Sequence, residues 1–364
     1  TTQRFGVPIA DTGVSLTVND ASFYRRMLLH GDLGAAESYL RGEWETNDLL
    51  QLFLLLAQNT ELLNSMNRGL GWLTVPASRL RSWLSRNTIA GSRRNIHAHY
   101  DLSNDFFRLF LDDTMTYSSG YYPNEDSTLR EASIEKYDRI CRRLGLTSKH
   151  HLLEIGTGWG GFVKHAVENY NCRITTTTIS REQHRYAADM LHRHGLTGRV
   201  ELLLQDYRQL TGQYDAIVSI EMIEAVGHEF LPTFFQKCHS LLKPGGDLLL
   251  QAITIPDQRY EAYRKSTDFI QRYIFPGGCL PSIGALQHAA STTADLQLEH
   301  FEDFGSHYAR TLAAWRERFW ARIDDVRALG LDERFIRMWD YYLAYCEAGF
   351  RTRMTGVAHL HYRK

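Results

Sequence analysis

The stretch Leu152-Leu153-Glu154-Ile155-Gly156-Thr157-Gly158-Trp159-Gly160-Gly161 constrains this chain more than any other. An apolar run passes directly into a glycine-rich turn, and a helix-compatible segment, Phe162–Asn169, follows. Strand, tight turn and helix in that order open a nucleoside-binding α/β sheet, because glycine lets the backbone turn sharply and come close to a ligand. The glycine pattern alone does not separate the folds that use such a turn, since dinucleotide-binding chains favour G-x-G-x-x-G. The later segments supply the order. Arg173–Ile179 reads as a β-branched second strand and Val200–Leu204 as a third, leading to Asp206-Tyr207. Tyr214–Ile220 reads as a fourth strand. Leu241–Gly246 reads as a helix end and turn before a fifth strand at Asp247–Ala252.

Upstream of this domain the texture changes. Val14–Val18 reads as a strand ending in an Asn19-Asp20 turn, and Phe23–His30 and Asp48–Gln58 read as helices. From Leu62 to Tyr100 there is no Asp or Glu, while Arg68, Arg79, Arg81, Arg86, Arg93 and Arg94 stand there with Trp72 and Trp83. Arginine interleaved with tryptophan suits an anionic membrane surface, and a solvated interdomain linker accounts for it equally well. The net charge of -1 gives the whole chain no general attraction to polyanions, and no nucleic-acid motif accompanies the arginines. The longest apolar run, Leu52–Ala57, is far short of the roughly 20 residues of a membrane span. The five cysteines form no CxxC pair, which fits free thiols in a reducing cytoplasm and argues against zinc. No metal site is expected. The expected division is residues 1–80 as a mainly helical N-terminal domain, 81–96 as a basic linker and 97–364 as the α/β domain.

The E-x-G-x-G turn resembles the S-adenosylmethionine (SAM) loop of class I Rossmann-like methyltransferases. That resemblance implies cofactor contacts from Gly156, Gly158 and Gly160, and an acid at Asp206, beside Tyr207, that reaches the adenine amino group. The second strand of many such enzymes ends in an acid for the ribose hydroxyls. Here it ends in Thr177-Thr178-Ile179-Ser180 with Gln183 beyond, and hydroxyls with an amide can make the same hydrogen bonds without charge. Further motifs narrow the resemblance. His99–Phe107, Met115–Tyr121, Thr178–Gln183, Ile223–Gly227 and Tyr273–Gly278, with Leu33–Tyr39 upstream, make the chain similar to the cyclopropane-fatty-acyl-phospholipid synthase family. That family includes the mycolic acid cyclopropane synthases. Within it, the pair at Tyr117 and Ser118 touches SAM, and the N-terminal domain faces lipid.

The resemblance implies methyl transfer from SAM to a double bond of an unsaturated phospholipid acyl chain, followed by ring closure. An alkene is a poor nucleophile, so positioning must supply much of the rate, about 7–11 kcal/mol where alignment is good. The cation formed needs π-rich or negative surroundings and exclusion of water, and a base must then remove a proton. The family is understood to use a bound bicarbonate, whose ligands would here be Ser119, Glu224, Gln251, Tyr308 and the backbone of Ile253. Ser119 stands where the family commonly has Cys, and Gln251 where it has His. Both changes bear on the ring-closing outcome, and a cation that loses its proton differently gives a methylated alkene. The second expectation is therefore C-methylation giving a methyl- or methylene-branched chain, or methylation toward a furan-type fatty acid. Cys346, within Trp339–Phe350, matches a cysteine once regarded as the family's nucleophile. The chemistry needs no thiolate, and a buried cysteine on an amphipathic helix explains it. Phe269, Tyr273, Phe275 and Trp315 are core residues or acyl-channel walls. The competing expectations are a small-molecule N-methyltransferase and a lipid-binding protein without turnover. The resemblance further implies a cytoplasmic protein held peripherally on the inner membrane face, and a homodimer.

Overall fold

The computed structural model describes residues 13–59, 87–88, 91–92 and 102–364. Their centre is a seven-stranded sheet in the order β5-β4-β3-β6-β7-β9-β8. The strands are β3 (His151–Ile155), β4 (Arg173–Thr178), β5 (Val200–Leu204), β6 (Tyr214–Ile220), β7 (Leu242–Thr254), β8 (Gln297–Asp303) and β9 (Gly356–Arg363). Strands β5 to β7 run parallel, and β9 and β8 complete the sheet antiparallel. Leu152, Leu153, Ile217, Val218, Leu248 and Leu249 are completely buried, as a parallel sheet covered on both faces requires. The expected α/β class I methyltransferase fold is present.

The chain builds β3, β4 and β5 outward, then returns to place β6 on the other side of β3. Ligands in such sheets bind at this switch point, beyond the carboxyl ends of the strands. Here those ends are the glycine turn after Ile155 and the segment after Ile220. Ser219 Oγ ties them together by donating to the Ile155 carbonyl at 3.0 Å.

Strands β5 and β6 match the sequence expectation, and β4 stops one residue earlier. Strand β7 is longer than expected, beginning at Leu242 and running through the Lys-Pro-Gly-Gly turn to Thr254. The antiparallel pair β8 and β9 was not expected. The β8 burial alternates between exposed and half-buried, so no apolar run marks it in the sequence.

The upstream part is a two-stranded antiparallel ribbon, β1 (Leu16–Val18) with β2 (Trp44–Thr46), and two helices, Ser22–Leu40 and Leu49–Gln58. The first helix breaks its geometry at Gly31, with φ 58° and ψ -134°. The second starts at an Asp48 cap that accepts from the Gln51 N–H. Both pack on the helix Glu333–Arg351. Tyr39 Oη donates to Asp340 at 3.2 Å, Arg337 donates to the Tyr39 and Trp44 carbonyls, and Phe53 meets Tyr341 ring to ring at 4.9 Å. The expected boundaries at 80/81 and 96/97, and the six arginines with Trp72 and Trp83, lie outside the described residues.

Candidate active site

A single cavity of about 1100 Å³ runs from the glycine turn to an aromatic wall on the C-terminal helix. Its nucleoside end is built at the β3 and β4 termini. Gly156 sits at φ 104°, where an L side chain is strained and a Cβ would press on Met222. Its N–H and that of Thr157 donate to the Thr177 carbonyl at 3.0 and 3.1 Å, which folds the turn back on β4. Gly156, Gly158, Thr178, Ile179 and Gln183 line the cavity. Thr178 Oγ1 donates to Gln183 Oε1 at 3.0 Å and accepts from the Ser180 N–H at 3.1 Å. Where an acid would stand in many such sheets, the end of β4 thus carries a neutral pair of hydroxyl and amide.

Two expected cofactor contacts differ in detail. Gly160 does not line the cavity. It precedes the helix Gly161–Tyr170 at φ 89°, and a Cβ there would sit 2.5 Å from Met190 Cε. Its lack of a side chain serves the packing of that helix. Asp206 lines the cavity beside Tyr207, but both its oxygens already accept from Arg208, at 2.8 and 2.7 Å. An adenine amino group would share that carboxylate with a guanidinium.

The other end is organised around a residue that the sequence reading did not single out, Glu221. Its Oε1 accepts from the Ser119 backbone N–H at 2.8 Å and from Gln251 Nε2 at 2.7 Å, and its Oε2 accepts from Tyr308 Oη at 2.8 Å. Strand register explains the convergence. Ile220 pairs with Gln251, so Glu221 leaves β6 beside that amide, and Gln251 in turn pairs with His359 of β9. The His359 ring nitrogen lies 3.0 Å from Gln251 Oε1, which orients the amide so that its NH₂ faces Glu221. Glu221 has φ 47°, a left-handed conformation rarely taken by residues other than glycine, asparagine and aspartate. The signal available in the sequence was an acid three residues before Glu224 in Ser-Ile-Glu-Met-Ile-Glu.

Glu224 takes a different partner. Its Oε1 accepts from the Ile253 N–H at 2.5 Å, while its Oε2 is buried with no hydrogen-bond partner among the described residues. Burial, and then the neighbouring Glu221, push its carboxyl up to about 8. Glu154, buried at the end of β3 and accepting from Thr176 Oγ1 at 2.5 Å, is likewise raised by burial to about 8. Lys136, fully buried on the helix Leu129–Arg143, donates to Ser118 Oγ at 2.7 Å. Burial pulls it down to about 8, against the opposing pull of Glu221, Asp112 and Glu154. Glu154, Glu221 and Glu224 line the cavity, with the buried Lys136 close behind them; of these groups the family motif pointed only to Glu224 as a site residue.

The five expected anion ligands do not form an open anion site. The Ser119 N–H, Gln251 and Tyr308 serve Glu221, and the Ile253 N–H serves Glu224. The Ser119 hydroxyl donates to the Gly120 carbonyl at 2.9 Å. Ser119 and Gln251 are wholly buried behind the carboxylate they hold. A bicarbonate would meet two acids with the donors already engaged, so these residues do not fit it.

The other end of the cavity is largely aromatic, with the acids Asp32 and Asp268 also on its lining. Among the expected channel residues, Phe275 lines it, while Trp315, Phe269 and Tyr273 do not. Trp315 packs against Tyr117 at 5.2 Å and Phe269 against Tyr341 at 4.5 Å. The wall is formed mainly by Tyr341, Tyr342, Tyr345 and Phe350 of the helix Glu333–Arg351. Tyr117, which lines the junction with Ser118, shares a 2.9 Å hydroxyl contact with Tyr342. Cys346 is also on this wall, and burial raises its thiol far above the ordinary range.

Comparison with known proteins follows the same geometry. Residues 88–360 match the family model described as mycolic acid cyclopropane synthetase. The chain is 42% identical over 335 residues to the tuberculostearic acid methyltransferase UfaA1 of Mycobacterium tuberculosis, covering 90% of this chain and 78% of that protein. It is 37% identical over 359 residues to the cyclopropane-fatty-acyl-phospholipid synthase of Escherichia coli, covering 96% and 88%. The solved mycolic acid cyclopropane synthase CmaA1, complexed with SAH and CTAB, superposes with a TM-score of 0.70 at 36% identity, over 75% of this chain and 98% of that one. A glycine turn at the sheet's switch point, a cavity leading from it to an aromatic wall, and these matches over most of the chain place it in the mycolic acid cyclopropane synthetase family of SAM-dependent C-methyltransferases.

Proposed function

We propose that this chain methylates a carbon–carbon double bond in the acyl chain of an unsaturated phospholipid. The observation that carries the reading is the continuity of the cavity. The cofactor turn at Gly156 and Gly158, the acids Glu221 and Glu224, and the aromatic wall from Tyr341 to Phe350 line one space. When bound, SAM supplies an electrophilic methyl group. The protein's part is to hold the alkene against it, exclude water and take up a proton. Acids at the junction stabilise the positive charge that develops on the acyl chain, and the tyrosine rings offer π faces to it. The name of the Escherichia coli relative, cyclopropane-fatty-acyl-phospholipid synthase, gives a phospholipid as the class of its product, and the unsaturated acyl chain is the form that a methyl cation equivalent can alkylate. Access to it requires contact with a membrane surface from the cytoplasmic side, and no described helix is long and apolar enough to cross a bilayer.

Ring closure to a cyclopropane is the first reading of the product. A methyl- or methylene-branched chain is the second. It is favoured by Ser119, Gln251 and Glu221 together at the proton-accepting end, and by the 42% identity to a relative named for methylation rather than cyclisation. Incubation with methyl-labelled SAM and liposomes of unsaturated phospholipid tests the function. Proton NMR of the acyl product separates ring from branch, because cyclopropane protons resonate far upfield of exocyclic methylene protons. Methylation of a soluble amine without any need for liposomes would overturn the lipid reading.

A further inference from the structure

We propose that Glu221 is the built-in base of the reaction, standing where a dissociable anion would otherwise be needed. The proposal rests on the reading of the site as an alkene methyltransferase and names the group that finishes the reaction there. Three observations carry it. First, Ser119, Gln251 and Tyr308, whose positions suit an anion ligand set, all donate to one carboxylate. Second, that carboxylate lines the cavity between the cofactor turn and the aromatic wall, with Tyr308 beside it on the cavity surface and Ser119 and Gln251 buried behind it. Oε1 has two donors and Oε2 has one. A carboxylate offers about four lone-pair sites, so a site remains for a proton. Third, the backbone adopts φ 47° at this glutamate, a conformation that glycine would take without strain. Strain of this kind clusters where placement of a side chain serves function.

The chemistry balances without any added reagent. The alkene π pair forms the bond to the SAM methyl carbon as the carbon–sulfur bond breaks and its pair stays on sulfur. The neighbouring acyl carbon is left cationic. A C–H bond of the new methyl group then breaks, and the proton passes to Glu221. The released pair closes the ring onto the cationic carbon, or, after a hydride shift between the two acyl carbons, forms an exocyclic C=CH₂. Burial raises the Glu221 carboxyl above its ordinary range, which strengthens it as an acceptor. The buried Lys136 and the three donors keep it available as a carboxylate. Glu224, with no donor on Oε2 and a carboxyl raised to about 8, is the more readily protonated of the two and the weaker candidate for the base.

The test uses the full chain, SAM and unsaturated phospholipid liposomes in carbon-dioxide-free buffer, with and without added sodium bicarbonate. Wild type is expected to methylate at a rate that bicarbonate changes by less than twofold. Glu221→Gln is expected to lose about 10²–10⁴-fold, the usual worth of a general base, with SAM affinity by calorimetry unchanged. Glu221→Gly removes the carboxylate, frees its donors and suits the backbone. It is expected to recover at least tenfold on adding bicarbonate, which a merely structural role would not produce. A wild-type rate that collapses without bicarbonate and returns with it overturns the proposal, as does full activity in a folded Glu221→Gln. Absence of lipid methylation by wild type under every condition overturns the functional reading instead. If either variant fails to fold, the wild-type bicarbonate response decides alone.

Discussion

The Tyr308 hydroxyl donates to Glu221 Oε2 across 2.8 Å, linking the helix Gly305–Ala321 to the end of β6. Tyr308 is buried and Glu221 half-buried, and hydrogen bonds to a charged partner are worth about 1.5–3 kcal/mol. Tyr308→Phe should therefore lower the methylation rate by about 10- to 100-fold. SAM affinity should stay within about twofold, because the hydroxyl serves Glu221 rather than the glycine turn. Steady-state rates on liposomes, paired with SAM calorimetry, check both halves.

Glu224 makes stability depend on pH with a definite sign. Its folded carboxyl is raised from 4.5 to about 8. The contribution to stability is thus fully present below the unfolded value and is lost as pH rises through the folded one. Glu224→Gln removes this titration while keeping an oxygen for the Ile253 N–H. Denaturant unfolding of the two proteins should show the variant gaining on wild type steadily between pH 5 and pH 8. A difference that stays flat across that window would contradict the assignment.

At the cofactor turn, Gly156→Ala forces a side chain into φ 104°, and its Cβ would meet Met222 at 3.3 Å. The left-handed region costs an L-residue about 1–2 kcal/mol. SAM binding should weaken by about tenfold, or the thermal midpoint should fall, because the turn must relax away from the Thr177 carbonyl. Differential scanning calorimetry with and without SAM separates the two effects.

Cys346 supplies no nucleophile in this account. Burial raises its thiol rather than lowering it, the opposite of what an activated cysteine needs. Cys346→Ala should keep methylation within about threefold, the loss reflecting a small gap in the cavity wall. Inactivation of a folded Cys346→Ala would restore a role for the thiol.

Much of the scaffold was legible in the residues. The glycine turn and the β-branched and apolar runs at Arg173, Val200 and Tyr214 carry local signals, and those strands formed nearly where expected. Strands β8 and β9 were not legible, because pairing of sequence-distant segments decides them. The same limit hid the centre of the site. Ser119, Gln251 and Tyr308 were recognised one by one, but their shared partner depends on the Ile220–Gln251 register and on where Glu221 leaves β6. Glu224 drew attention through its motif, while the donors went to the acid three residues earlier. Lys136 was invisible for a related reason. An amphipathic helix gives no hint that one of its lysines is wholly buried beneath three acids.

The most direct test of the central claim is the fate of the transferred carbon. Purified protein is incubated with ¹³C-methyl SAM and unsaturated phospholipid liposomes, and the acyl chains are examined by carbon and proton NMR. Label is expected on a carbon bonded to a former olefinic carbon, as a ring CH₂ or a branch. Label on the head group, or no label in the lipid from protein that binds SAM, would contradict it.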